Sequence, residues 1–169
     1  MKYWASFIAV FFDADVADNI LGYGKANWGD HLSAYKIEKG ANLHMTLFYL
    51  GWSDSKDLET IKNILLGAPA LPKLEVTGKI LTFNTSEDCR YVTLEVRHTP
   101  EIAALYSYLE RSLLQADIFF KAQGFVPHIT ILKMPKDLIL DFHDAPFPLT
   151  VTGDRLSLSS TQSTFYEPH

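Results

Sequence analysis

Residues 42–51 read NLHMTLFYLG and residues 126–134 read VPHITILKM, and each stretch sets a histidine two positions before a threonine in an apolar run: His44-Met45-Thr46 and His128-Ile129-Thr130. Side chains alternate between the faces of an extended strand, so His44 and Thr46 share a face, as do His128 and Thr130. β-Branched and aromatic neighbours predict a buried strand in both places. Random placement of the chain's histidines and threonines gives fewer than one such triplet, so two copies in matching surroundings carry information. A polar pair buried in a strand needs a partner or a purpose. The plain structural reading is two histidines satisfied by backbone carbonyls.

The chemical reading goes further. An imidazole with an ordinary pKa of about 6.5 gives or takes a proton near neutrality, and a threonine hydroxyl donates to an anionic oxygen. Two such units facing one cleft make a phosphoester site. A neutral histidine takes a proton from attacking water or a ribose hydroxyl, a protonated one supplies the leaving oxygen, and the threonines hold the phosphoryl oxygens. That chemistry requires neither metal nor other cofactor, and none is expected. Which histidine is acid and which is base is not set by the sequence.

Asn42 precedes the first motif, Leu50-Gly51 closes it, and Pro127 opens the second. In these residues, and in the order of elements along nearly the whole chain, the sequence resembles the 2H phosphoesterase superfamily. That group includes bacterial RNA 2′,3′-cyclic phosphodiesterases, often described as 2′-5′ RNA ligases, and phage enzymes that cleave cyclic nucleotide signals. The resemblance implies that His44 and His128 are the acid and base and that Thr46 and Thr130 bind phosphate. It also implies an α+β fold of two pseudo-symmetric lobes, each an antiparallel sheet with helices on its outer face, with the active-site groove between the sheets. A basic residue often follows the second motif in that family, and Lys133 stands there. Strict strand parity, however, turns Lys133 away from His128.

Bulk properties fit one compact domain over residues 1–169. At this length folding buries roughly 70% of the surface of the unfolded chain. A single cysteine, Cys89, excludes an intramolecular disulfide and any multi-cysteine metal site, and suits a reducing, cytoplasmic setting. The run Tyr3 to Phe12 meets Asp13 and Asp15 without a small-residue cleavage site and reads as a strand, not a signal peptide. No stretch reaches the roughly 20 apolar residues of a membrane span. The formal net charge of −5 and the absence of basic runs disfavour duplex or long-strand binding. A small nucleotide or an RNA end needs only a local pocket, and a monomer is expected.

Pattern places strands at Tyr3–Phe12, Leu43–Leu50, Leu74–Phe83, Tyr91–Val96, Pro127–Lys133, Phe147–Thr152 and Arg155–Ser160. Helices are expected at Ala14–Tyr23 after Asp13, from a Ser53 or Ser55 cap to Leu66, and from Thr99-Pro100 to about Ala116. A glycine-bearing loop with Gly22, Gly24 and Gly29 follows the first helix. One His-x-Thr falls in each half, which gives the halves the look of a diverged duplication.

Aromatic residues that could stack on a base are Tyr23 and Trp28 in the glycine-bearing loop, Phe48 on the face of His44 and Thr46, and Phe165 and Tyr166 near the C-terminus. Core packing is the competing reading, and for Phe48 the favoured one. His31, His98, His143 and His169 share no motif, and Asp141-Phe142-His143-Asp144 lacks metal-ligand spacing, so it reads as a solvated loop. The expected activity is metal-independent hydrolysis of a nucleotide phosphodiester: a cyclic nucleotide or oligonucleotide, a 2′-5′ linkage, or a 2′,3′-cyclic phosphate RNA end. The alternative is a non-catalytic protein that sequesters cyclic nucleotides in the same groove.

Overall fold

An apolar run, buried without interruption from Ile8 to Phe11, makes β1 (Tyr3–Phe11) an inner strand paired on both sides, and this strand organises one of two sheets. The computed structural model describes residues 3–28, 36–37, 42–84, 88–137, 142–144, 148–160 and 164–166. Along them run α1 (Ala14–Trp28), β2 (Lys36–Ile37), β3 (His44–Asp54), α2 (Ser55–Leu66), β4 (Lys73–Asn84), β5 (Cys89–Val96), α3 (Pro100–Gln115), β6 (His128–Pro135), β7 (Leu149–Thr152), β8 (Arg155–Ser160) and β9 (Thr164–Tyr166).

Each helix starts where a side-chain oxygen meets its orphan N–H groups. Asp13 accepts from the Val16 N–H at 2.8 Å, and Thr99 accepts from Ile102 ahead of Pro100. The cap of α2 is Asp54, which accepts from Lys56, and not either serine. Ser53 instead ends up inside β3, hydroxyl to hydroxyl with Ser6 at 2.6 Å. A carboxylate suits the positive end of a helix better than a hydroxyl does. The first helix also runs five residues past its expected end at Tyr23, so that it contains both Gly22 and Gly24. Glycine costs about 1 kcal/mol in a helix interior but does not end one, and burial of Ala17 and Ile20 with Tyr23 packed on the core outweighs that cost. Tyr23 and Trp28 therefore lie on a helix, not in a loop.

All strand pairings are antiparallel. One sheet has the order β3-β1-β8-β9, the other β2-β6-β5-β4-β7. The short strands β2 and β9 carry too few residues to leave a pattern in the sequence. Helices α2 and α3 cover the first sheet. Ile61 and Leu65 of α2 and Ile102, Leu105, Leu109 and Leu113 of α3 are buried, α2 touches β3 and β8, and Tyr106 of α3 stacks on Phe48 of β3 at 4.4 Å. Helix α1 contacts β7 of the second sheet. The sheets approach each other along the motif strands β3 and β6.

The strands β7 and β8, joined at Gly153-Asp154, do not form a hairpin. β7 pairs with β4 in one sheet and β8 with β1 in the other, so this dipeptide carries the chain between sheets. The crossing is tight: a Cβ on buried Gly153 would lie 2.5 Å from Val10 Cγ1 and 3.3 Å from Leu71 Cδ1. Gly153→Ala is expected to cost roughly 1–3 kcal/mol through overpacking against a stiff valine, lowering the thermal midpoint by about 3–10 °C in calorimetry. An unchanged midpoint would contradict this packing.

Candidate active site

The two histidines are held in the same way. His44 Nδ1 lies 2.6 Å from the Asn42 carbonyl and His128 Nδ1 2.7 Å from the Val126 carbonyl, in each case two residues back. A carbonyl oxygen only accepts, so Nδ1 carries the hydrogen in both neutral rings and Nε2 is the nitrogen that titrates. The carbonyl satisfaction expected of a purely structural histidine is thus present, but it uses one nitrogen and defines the other. Aromatic rings fix the ring planes: Phe7 and Phe11 lie 5.1 and 5.2 Å from the His44 ring, and Phe83 lies 4.6 Å from His128.

Register shows which side chains share the motif face. On β1, Phe11 stands opposite His44, Ala9 opposite Thr46, Ile8 opposite Phe48 and Phe7 opposite Tyr49. One extra residue on β3, Leu47, is therefore accommodated in a β-bulge directly after the threonine. In the second sheet Glu95 faces His128, Thr93 faces Thr130, Val92 faces Leu132 and Tyr91 faces Lys133, so Ile131 is the extra residue at the same place. The burial patterns agree: half-buried His and Thr, then two consecutive buried apolar residues, then an accessible side chain.

These bulges reverse parity beyond each threonine. Phe48 leaves the face of His44 and Thr46 and becomes core, 2% exposed, stacked on Tyr106 with Phe120 edge-on at 5.1 Å. Tyr49 takes its place. Lys133, which strict alternation turns away, lies on the face of His128 and Thr130, its ammonium 5.9 Å from the Tyr91 ring centroid. The broken alternation in Leu47-Phe48 and Ile131-Leu132 was the sequence signal for both reversals. Arg155 also joins the motif face: it pairs across from Phe11, with its guanidinium carbon 5.1 Å from that ring.

Burial holds the pKa of His128 below the usual histidine value, with the hydrogen bond to Val126 acting in the opposite direction. The neutral form is therefore favoured at pH 7. Its cross-strand neighbour Glu95 accepts from Thr77 Oγ1 at 2.7 Å and pairs with Lys79 at 3.9 Å. Beside them opens a cavity of about 490 Å³ lined by Thr77, Glu95, Arg97, His98, Phe125 and Val126.

Tyr23 is half-buried on α1 and packs on the core, and burial raises its phenol pKa. The side chains of Trp28, Phe165 and Tyr166, and residues His31, Asp141 and His169, lie outside the described residues. Asp144 accepts from the Ile80 N–H at 3.0 Å, and His143 beside it is exposed. Among the described residues no cluster of three metal-ligating side chains occurs.

The sequence matches the model of the 2′-5′ RNA ligase superfamily over residues 30–164. Comparison with curated proteins gives no match. Solved structures with this fold include TT0787 of Thermus thermophilus, at 17% identity over 96% of each chain with a TM-score of 0.72. E. coli LigT in its apo form is 19% identical over 100% of this chain and 96% of its own, with a TM-score of 0.66. The MHV ns2 PDE domain is 12% identical over 96% of this chain and 99% of its own, with a TM-score of 0.58. At such identities the likeness is one of fold.

The imidazole geometry predicts a spectrum. Nitrogen shifts of both motif histidines should show a protonated Nδ1 and a lone pair on Nε2 in the neutral rings, and His128 should titrate below the ordinary histidine value of about 6.5. Phe83→Ala, which opens His128 to water, should move that midpoint upward. A midpoint above about 6.5 in the wild type would refute the burial argument.

Proposed function

Because the chain belongs to the 2′-5′ RNA ligase superfamily of 2H phosphoesterases, we propose that it is a metal-independent phosphodiesterase acting on a nucleotide phosphodiester by two-histidine acid–base catalysis. The observation that carries this reading is the matched treatment of the histidines. Each is tied at Nδ1 to a carbonyl two residues back, sits beside a threonine on the same face and precedes a bulge at the same position. Binding alone does not require two proton-transfer groups set up in the same tautomer, which disfavours a purely sequestering role.

In the proposed mechanism the phosphorus lies between the two motif faces. His128, kept neutral by burial, takes a proton from the attacking water at Nε2. His44, protonated, gives its Nε2 proton to the leaving ribose oxygen as the P–O bond breaks. Thr46 and Thr130 donate hydrogen bonds to the non-bridging oxygens, and Lys133 supplies positive charge on the same face as Thr130. Tyr49 offers the base a ring to stack on. Microscopic reversibility gives the same groups the reverse joining step when product ends are in excess.

The substrate class is a cyclic nucleotide or oligonucleotide, or a 2′,3′-cyclic phosphate RNA end. LigT has been crystallised with 3′-AMP, ATP, NADP⁺ and phosphate, and those phosphate-bearing ligands support a nucleotide in the equivalent place here. A local site of this kind is also compatible with a net charge of −5.

His44→Ala and His128→Ala should each lower kcat/KM on the true substrate by roughly 10²–10⁴, with folding intact. EDTA should leave wild-type turnover unchanged. The pH profile should be bell-shaped: activity falls on the acid side as His128 becomes protonated, at a midpoint below about 6.5, and on the alkaline side as the acid is lost. Mass analysis of a panel of cyclic nucleotides and cyclic-phosphate RNA ends reads the outcome. Retained but unaltered ligand, or turnover within a few-fold of wild type in either variant, would sink the assignment.

A further inference from the structure

Trp52 lies on β3 with 73% of its surface exposed. Isolated exposed apolar side chains are common and by themselves mean little. Trp52 differs in its alignment. On β1 the alternate residues Phe11, Ala9, Phe7 and Ala5 mark one face, and their partners on β3 are His44, Thr46, Tyr49 and Trp52. A second irregularity, at Leu50-Gly51 where Gly51 adopts φ 66°, keeps Trp52 in this row. The hydroxyl bond between Ser6 and Ser53 marks the opposite, buried face, which supports the same orientation.

The row therefore runs imidazole, hydroxyl, phenol, indole along one strand. Their partners on β1 step by two residues, about 6.8 Å of strand rise each. Trp52 therefore stands one such step beyond Tyr49, on the side away from His44 and Thr46. The chain after α3 borders the same end of β3. The Lys121 N–H donates to the Tyr49 carbonyl at 2.8 Å, and exposed Phe119 comes close to Gly51.

We infer that Trp52 is a second stacking platform and that the site takes a single-stranded oligonucleotide end of at least two nucleotides, the reacting phosphate at His44 and Thr46 and the adjacent base on Trp52. The inference rests on the phosphodiesterase reading above and narrows its substrate class. A mononucleotide held at His44 and Thr46 reaches Tyr49 and leaves Trp52 uncovered. The occupant is a nucleic acid and not a protein partner because the row starts at the proton-transfer group, and a protein seated on Trp52 would close off Tyr49 as well. Affinity drawn from stacking suits an acidic protein, and its salt dependence should be shallow.

The test compares wild type, Trp52→Ala and Trp52→Phe with two pairs of probes. These are a 3′-phosphorylated mononucleotide and trinucleotide for calorimetric binding, and the matching 2′,3′-cyclic phosphates for turnover. Trp52→Ala should weaken trinucleotide binding and kcat/KM by roughly 5- to 150-fold, leave the mononucleotide within about two-fold, and keep the wild-type thermal midpoint. Trp52→Phe should recover most of the loss. Equal effects on both probes, or none, would overturn the inference. So would a change in sedimentation behaviour without a change in nucleotide binding, which would make Trp52 a contact between copies of the chain. Trp52-dependent trinucleotide binding without hydrolysis would instead uphold the platform and refute the phosphodiesterase reading.

Discussion

Backbone pairing across two ladders, β1 with β3 and β5 with β6, is the constraint from which the site follows. In each ladder the motif strand carries one residue more than its partner just after the threonine. The partner strand acts as a ruler there: whatever stands opposite its alternate residues lies on the motif face. The extra residue sends two successive apolar side chains into the core and returns the next one to the site. Packing demands and chemical placement are met by the same local irregularity.

The consequences for charge and polarity are coupled to that packing. His128 sits against Phe83 and is sheltered from water, which favours its neutral form, while its backbone partner fixes the tautomer. His44 is flanked by two phenylalanines from β1. The aromatic residues beside the histidines come from other strands of the same sheet, far away in sequence, so the environment of each imidazole is a product of sheet formation. A strand that slipped register by one residue would exchange core for site along its whole length.

Much of this was legible beforehand. The strand beginning at Tyr3, the stripe Ile102, Leu105, Leu109, Leu113, the span Arg155–Ser160 and the Thr99 cap all follow from periodicity and end signals, and the structure agrees with them. The two His-x-Thr tripeptides indicated the family that the match over residues 30–164 shows. What was misread came from treating alternation as unbroken. That put Lys133 off the motif face and Phe48 on it, although core packing, the favoured reading for Phe48, is what the structure shows; the doubled apolar pairs signal the change of parity. The loop expected at Gly22 and Gly24 is helix, because burial of the flanking helix face outweighs the cost of the glycines. The division of β7 and β8 between sheets is a tertiary fact; local sequence shows a turn at Gly153-Asp154 but not which neighbours the two arms find.

That division also governs how the molecule must assemble. The sheet that carries His44 is completed by β8 and β9, which come far along the chain after every strand of the other sheet has been made. Neither sequence half is therefore an autonomous unit, despite the motif repeat. During synthesis the N-terminal strands wait, unpaired on one side, until the last third emerges. Such long-range closure slows folding and exposes strand edges to aggregation in the interval, so the two motif-bearing parts are topologically interlocked and are not separable modules.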